Sequence, residues 1–153
     1  MITITKNRML TYLKNILNNT NILILNVEES SYLVKKNSIK DKLIGLKKMG
    51  PEIVIITNGA NPIYCIDANN EFYSVYPLDI KVVEVTGAGD SFSSSFLAGI
   101  IKTGDFDFSL KLAIVNSHSV LRYKGAKNNL LAYSQAEKEI SQTQIKIMKG
   151  IFL

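Results

Sequence analysis

The residues from Glu84 to Asp90 (EVTGAGD) place two glycines, small residues and a carboxylate just before a predicted helix. The helix is predicted because Phe92, Phe96 and Ile100 recur at helical spacing and form one apolar face. A glycine turn that leads from a strand into a helix forms a cup of free backbone N–H groups at the positive end of the helix dipole. Such a cup binds anions, and phosphate above all.

The residue types in this turn suit phosphoryl transfer. A Cβ would obstruct an approaching phosphate, so a side chain placed at Gly87 is expected to fill the cup. The carboxylate of Asp90, at the lip of the cup, is placed to take the proton of an alcohol that attacks the phosphate. The alternative is that the glycines only reverse the chain and that Asp90 caps the helix. The spacing also differs from that of the two common phosphate-binding loops, so the residues alone leave both interpretations open.

The segment TGAGDSF at residues 86–92 closely resembles the C-terminal signature of the ribokinase-like (PfkB) family of sugar and nucleoside kinases. The resemblance implies that the amides of Gly87, Ala88 and Gly89 form the anion hole for the transferred phosphate. It implies that Asp90 is the base that activates the substrate hydroxyl, with ATP as the phosphate donor and Mg²⁺ as the accompanying ion.

Asn26 and Glu29 form a second polar group, where the buried strand predicted at residues 22–25 meets the start of a helix. Ligands collect beyond the carboxyl ends of parallel strands, and amide and carboxylate oxygens suit a hydrated Mg²⁺. The residues alone favour a simpler arrangement, a capping box in which Asn26 caps the helix and Glu29 bonds back to it. The resemblance implies the metal role instead, because the family carries an Asn-x-x-Glu motif that supports the metal and the phosphates.

Further positions match nucleotide contacts of the family. The resemblance assigns Thr57 and Gly59 to a Thr-x-Gly turn that contacts the nucleotide, and Thr86 to the nucleotide side of the glycine turn. The segment KGA at residues 124–126 resembles the Gly-Ala turn beside the adenine pocket, which assigns Gly125 to nucleotide binding. Asn116 lies on the preceding helix, whose residues face the base in the family.

The chain departs from the family pattern at two places. Family members often have Asp-Thr-Thr-Gly where this chain has Glu84, Val85, Thr86 and Gly87. That region binds a monovalent cation in some members, so the resemblance leaves a K⁺ requirement open. Pro62 stands where a second glycine usually follows the Thr-x-Gly turn, which bears on the nucleotide loop and leaves the phosphate chemistry untouched.

The periodicity of the chain predicts strands alternating with helices, which indicates an α/β fold. We expect a three-layer sandwich with a mostly parallel sheet, ribokinase-like, and a single domain over residues 1–153. The predicted helices cover residues 6–17, 26–33, 38–49, 91–101, about 108–122 and about 134–141; the predicted strands cover 22–25, 53–57 and 80–85, with a hairpin at 63–66 and 72–75.

Composition narrows the classes of function. The 153 residues are 46% hydrophobic and 20% charged, which is typical of one soluble globular domain. No apolar run approaches the roughly 20 residues that cross a membrane, and the N-terminus lacks the pattern of a signal peptide, so we expect a cytoplasmic protein. Its one cysteine, Cys65, allows no internal disulfide. The net charge of +5 comes without aromatic-basic interleaving, so no nucleic-acid partner is expected.

The resemblance covers nearly all of this chain but only the C-terminal half of the family's fold. In relatives the other half holds the β-lid and the residues that grip the sugar. We therefore expect a truncated product, or a companion polypeptide that supplies the N-terminal half, or a homo-oligomer. Two functions follow as hypotheses: an ATP-dependent phosphotransferase acting on a hydroxyl of a sugar or nucleoside, and a nucleotide-binding module, truncated or regulatory, without catalysis.

Overall fold

The structure, a computed structural model, describes the backbone of residues 6–150 and the side chains of residues 12–150. Within these residues the chain forms two compact units. The first unit holds residues 6–75 and 148–150, and the second holds residues 76–147. The single domain expected over residues 1–153 stays a prediction.

The first unit is built on one five-stranded sheet in the order β1-β2-β3-β4-β5. Strands β1 and β2 are parallel, whereas β3 is antiparallel to both β2 and β4. The connection between β2 and β3, at residues 58–62, is far too short for a parallel crossover, and the sheet is therefore mixed where a mostly parallel sheet was predicted. The elements are α1 (Lys6–Leu17), β1 (Ile22–Asn26), α2 (Val27–Leu33), α3 (Ile39–Lys47), β2 (Ile53–Thr57), β3 (Ile63–Ile66), β4 (Phe72–Val75) and β5 (Ile147–Lys149).

The core of the first unit lies between helix α3 and the sheet. Helix α3 begins after Ser38, whose hydroxyl accepts a hydrogen bond of 3.0 Å from the amide of Asp41. Its apolar side chains pack on the central strands, where the β-branched residues stay fully buried. The buried cluster consists of Leu43, Leu46, Val54, Ile56 and Ile66.

The second unit consists mainly of three helices, α4 (Ala88–Thr103), α5 (Phe106–Leu121) and α6 (Tyr133–Gln142). The rings of Phe96 and Phe106 meet edge to face, with centroids 5.5 Å apart. Helices α4 and α5 approach closely at Gly99, because a Cβ there would lie 2.7 Å from the hydroxyl oxygen of Ser109. None of the helices in the described part of the chain is long and apolar enough to cross a membrane.

The strand predicted at residues 80–85 does not form. This segment has no strand hydrogen bonding, and the side chains of Val82, Val83 and Val85 are exposed. Its amides bond to the end of α5 instead, where Val83 donates to the carbonyl of Leu121 over 2.8 Å. β-Branched residues favour a strand only where a neighbouring strand and a half-buried surface accept them, and this segment has neither among the described residues.

Candidate functional site

The glycine turn begins helix α4 with Gly87 in the left-handed region, at φ +84° and ψ −5°. Residues with a side chain rarely adopt this conformation. A Cβ at Gly87 would lie 2.2 Å from the carbonyl oxygen of Ala126 and 2.7 Å from its Cα. The prediction that a side chain at Gly87 would fill the anion cup is therefore wrong, because the space toward which it would point is occupied by the backbone at Ala126.

Gly89 is the glycine that faces open space. Its φ lies outside the left-handed region, and a Cβ built on it would meet no heavy atom within 4 Å. No side chain caps α4, so the first-turn amides lack the partner that a polar N-cap would supply. The amide of Ala88 makes a long bond of 3.3 Å to the carbonyl of Val85. An anion can approach the start of α4 from the Gly89 side.

Asp90 lies in the first turn of α4 and is exposed. It does not cap the helix, because the N-cap position belongs to Gly87; the capping alternative considered from the sequence is wrong. The described bond at this residue is made by its backbone carbonyl, which accepts from the hydroxyl of Ser94 over 2.8 Å. Within residues 12–150 no hydrogen-bond donor is placed on the carboxylate, which remains available to accept a proton beside the open start of the helix.

Glu84 connects the glycine turn to the turn at residues 124–126. Its Oε2 accepts a hydrogen bond of 2.9 Å from the amide of Gly125. This bond, followed by one from the hydroxyl of Thr86, lowers the pKa of the Glu84 carboxyl below its ordinary value. The structure therefore brings together two residues predicted to bind the nucleotide, Thr86 and Gly125. Sequence reasoning treated Glu84 only as a departure from the family pattern, and no local signal pointed to a partner 41 residues away.

Asn116 uses both ends of its side-chain amide inside the second unit. Its Nδ2 donates to the hydroxyl of Ser95 on α4 over 2.8 Å, and its Oδ1 accepts from the amide of Leu131 over 3.0 Å. The side chain thereby ties α5 to α4 and to the segment before α6. One N–H and one lone pair remain for another partner, so its role toward the base stays a prediction.

The first unit forms the capping box that the sequence allowed. The amide of Glu29 donates to Asn26 Oδ1 over 2.8 Å, and the amide of Asn26 donates to Glu29 Oε2 over 2.9 Å. Both residues are exposed. Their amide and carboxylate oxygens are of the type that Mg²⁺ prefers, but no group of three His, Cys, Asp or Glu that could hold a metal occurs among the described residues. An ion here would take most of its ligands from water and phosphate.

Thr57 lies beside Asn26, since the two are register partners at the carboxyl ends of β2 and β1. This confirms that two of the predicted polar turns share one edge of the sheet. The hydroxyl of Thr57 donates to the carbonyl of Leu25 over 3.4 Å. Gly59 follows with φ +57° and open space at its Cβ position. The backbone of the connection between β2 and β3 is therefore accessible to a ligand at Gly59.

The model of the pfkB family of carbohydrate kinases matches residues 3–132, and the chain belongs to this family. It is 30% identical over 115 residues to an ATP-dependent 6-phosphofructokinase of Thermoanaerobacterium thermosaccharolyticum, which covers 75% of this chain and 35% of that protein. It is 28% identical over 102 residues to a ribokinase of Lactococcus lactis, covering 67% of this chain and 33% of that protein. The chain therefore spans about a third of the length of these two relatives.

Solved structures confirm the ribokinase-like α/β fold. A protein from E. coli, provisionally assigned as ribokinase II and solved with ATP and Mg²⁺, superposes with a TM-score of 0.79 at 21% identity, covering 90% of this chain and 44% of that one. The ribokinase of Arabidopsis thaliana, solved with ribose and ATP, gives a TM-score of 0.75 at 20% identity, covering 83% and 43%. At these identities the similarity concerns the fold.

Proposed function

We propose that this chain carries the phosphate-transfer part of an ATP-dependent phosphotransferase that acts on a hydroxyl of a sugar or nucleoside. One observation carries the proposal: the open start of α4, where Gly89 leaves room for an anion and the exposed Asp90 stands next to it. Membership of the pfkB family supports the same chemistry.

In the proposed reaction Asp90 accepts the proton of the acceptor hydroxyl as its oxygen attacks the γ-phosphorus of ATP. A new phosphorus–oxygen bond forms, and the bond from the γ-phosphorus to the bridging oxygen of the β-phosphate breaks, so that ADP leaves. The amides of Gly87, Ala88 and Gly89 stabilise the negative charge on the transferred phosphoryl group. Because Asp90 shares the first turn with these amides, the base and the anion hole belong to one rigid helix end.

In the second unit, Thr86, Asn116 and Gly125 are proposed as nucleotide contacts. In the first unit, taken by itself, Thr57 and Gly59 are proposed as nucleotide contacts. The support for Thr86 and Gly125 is their common link to Glu84. Gly59 is supported as a nucleotide contact because its Cβ position faces open space, so that a ligand can approach its backbone. Two of the similar structures were solved with ATP, which supports ATP as the phosphate donor in this proposal.

Mg²⁺ would be supported by Asn26 and Glu29. The capping box uses Glu29 Oε2, and the exposed carboxylate is of the ligand type that suits an ion with further water and phosphate ligands. When bound, the ion neutralises charge on the nucleotide phosphates. The capping bonds fix the Glu29 side chain relative to the end of β1, which suits a group that must hold one position.

The acceptor is proposed only as a class. Relatives are named ribokinase, cytidine kinase and 2-dehydro-3-deoxygluconokinase, which together define sugars and nucleosides. The residues that choose among them are proposed to come from outside this chain, either from a companion polypeptide or from another copy in a homo-oligomer.

The test is to titrate the purified chain with ATP in the presence of Mg²⁺ by calorimetry. Turnover of ribose, fructose 6-phosphate and cytidine is then assayed after reconstitution with the N-terminal half of a relative, because the isolated chain is expected to show little or no kinase activity. Saturable ATP binding that Asp90→Asn leaves intact, together with turnover that Asp90→Asn abolishes, is the expected result. ATP binding without turnover of any acceptor would favour the nucleotide-binding module. A folded chain that binds no ATP would refute both functions.

A further inference from the structure

We infer that Glu84 is a positioning residue that holds the turn at residues 124–126 against the glycine turn at residues 86–89. Its carboxylate would fix the position of the turn at residues 124–126, which is proposed to contact the nucleotide, relative to the phosphate-binding end of α4. The inference rests on the proposed function, because it concerns the same site.

Glu84 is anchored through both its backbone and its side chain. Its amide donates to the carbonyl of Leu121 at the end of α5 over 3.3 Å, next to the 2.8 Å bond from Val83 to the same carbonyl. Its Oε2 then reaches the amide of Gly125, beyond the end of that helix, over 2.9 Å. The segment before the glycine turn is thus hydrogen-bonded both to the last residue of α5, Leu121, and to Gly125 in the turn that follows α5.

The two turns touch at a second point. A Cβ at Gly87 would lie 2.2 Å from the carbonyl oxygen of Ala126, so their backbones are in direct contact. Such contact is sensitive to small movements, because a backbone displaced by a few tenths of an ångström either clashes or leaves a gap. A bond that fixes the turn at 124–126 therefore also fixes the contact with Gly87.

Within the turn at 124–126, the amide of Gly125 donates to Glu84. Asn128 closes the turn from its other side, with its amide donating to the carbonyl of Gly125 over 3.2 Å and its side chain donating to the carbonyl of Lys124. Gly125 itself has φ +97°, in the left-handed region that glycine adopts readily. The carboxylate of Glu84 is the acceptor that the structure provides for it.

Three substitutions of Glu84 separate a role that depends on the length of its side chain from a role that depends on its charge. Glu84→Gln keeps an oxygen at the same reach and removes the charge. Glu84→Asp keeps the charge and shortens the side chain by one methylene, so it cannot bridge to Gly125 without backbone movement. Glu84→Ala removes both. If the hydrogen bond positions the turn, Asp behaves like Ala and Gln behaves like the wild type.

The experiment measures the affinity of the full chain for ATP and for inorganic tripolyphosphate by calorimetry, with the exchange rate of the Gly125 amide followed by NMR. Loss of a hydrogen bond to a charged group is expected to weaken ATP binding about tenfold in Glu84→Asp and Glu84→Ala, and to speed exchange at Gly125. Tripolyphosphate binding should change by less than about threefold, because the first-turn amides of α4 remain in place. Glu84→Gln should keep ATP affinity within about threefold of the wild type.

Glu137→Gln, at an exposed glutamate on α6, is the control for loss of one negative charge and should leave both affinities unchanged. A wild-type chain that binds ATP while Glu84→Asp and Glu84→Ala bind it equally well would overturn the inference and leave the proposed function standing. Equal losses of ATP and tripolyphosphate affinity, in proportion to the unfolded fraction, would also overturn it, because they indicate a purely structural residue. A wild-type chain that binds neither ligand refutes the proposed function itself.

Discussion

The two glycines of the turn at the start of α4 should respond oppositely to the same substitution. Gly87→Ala introduces a Cβ 2.2 Å from the carbonyl oxygen of Ala126 and holds it at φ +84°. Gly89→Ala introduces a Cβ into open space within a helix. The first substitution therefore perturbs the fold, whereas the second perturbs only what binds at the helix start.

The magnitudes follow from the geometry. A side chain in the left-handed region costs roughly 1–2 kcal/mol, and relief of the clash adds to it, so Gly87→Ala is expected to lose at least about 2 kcal/mol of unfolding free energy. For a chain of this size that corresponds to a Tm lower by about 4–8 °C. Gly89→Ala should keep or raise the Tm, because alanine is favoured over glycine in a helix by up to about 1 kcal/mol. Its methyl group displaces a phosphate from a charge-assisted amide bond, which weakens ATP binding roughly tenfold or more.

Thermal unfolding followed by circular dichroism and ATP titration by calorimetry give the two readouts for each variant. Ala98→Gly, on the exposed face of α4, serves as the control for a glycine–alanine exchange away from the turn, with a small loss of stability and no loss of affinity. If Gly89→Ala binds ATP as tightly as the wild type, the first turn of α4 is not the phosphate site. If Gly87→Ala is as stable as the wild type, the contact with Ala126 does not exist in solution.

Three further predictions concern separate side chains. Asp90→Asn should lower the turnover of the reconstituted enzyme about 10²–10⁴-fold with ATP affinity retained, and wild-type turnover in this variant would exclude Asp90 as the base. Glu29→Gln keeps an oxygen for the capping bond to Asn26, so the Tm should hold while the Mg²⁺ concentration needed for half-maximal ATP binding rises several-fold; an unchanged Mg²⁺ requirement would leave Glu29 a capping residue only. Burial, and then the charge of Arg122, lowers the pKa of His118 to about 4. The unfolded chain therefore takes up more protons than the folded one as the pH falls from 6.5 toward 4, and the unfolding free energy falls with it. The difference between the urea unfolding midpoints at pH 7 and pH 5 should be smaller in His118→Gln than in the wild type. An equal difference in the variant and the wild type would contradict the assignment.

Most elements could be predicted because their signals are local. The run IVII at residues 53–56 predicts a strand covered on both faces, and Val54, Ile55 and Ile56 are fully buried in β2. The hairpin at β3 and β4 follows from turn-forming residues between two apolar runs, and Asn70 adopts the positive φ that asparagine tolerates. In each case the residue types that fix the backbone lie within the element or next to it.

The strand predicted at residues 80–85 shows where such reasoning fails. Val82, Val83 and Val85 carry the residue type of a strand, but a strand is stabilised by its neighbours rather than by its own backbone preference. The acceptor that this segment finds is the carbonyl of Leu121, nearly forty positions along the chain. A pattern read over a few residues contains no information about that carbonyl.

The candidate site divides in the same way. The sequence predicted a glycine turn followed by a helix at residues 91–101 with Asp90 just before it. The structure has the turn and the helix, but the helix begins at Ala88, so that Asp90 lies in its first turn. The sequence did not distinguish the two glycines, because Gly87 is enclosed by Ala126 and Gly89 is not. It also could not assign Glu84, whose partner is Gly125. Both facts depend on contact between segments that are distant along the chain.

Asn26 and Glu29 present a different problem, because the two roles weighed for them involve the same atoms. The capping box satisfies one amide at each residue and engages Glu29 Oε2, yet it leaves Glu29 exposed. A group that supports an ion must be held in a fixed orientation by a second set of bonds, and a capping box is such a set. Capping and metal support are therefore compatible at this position. What separates them is the charge, which the ion requires and the capping bond does not.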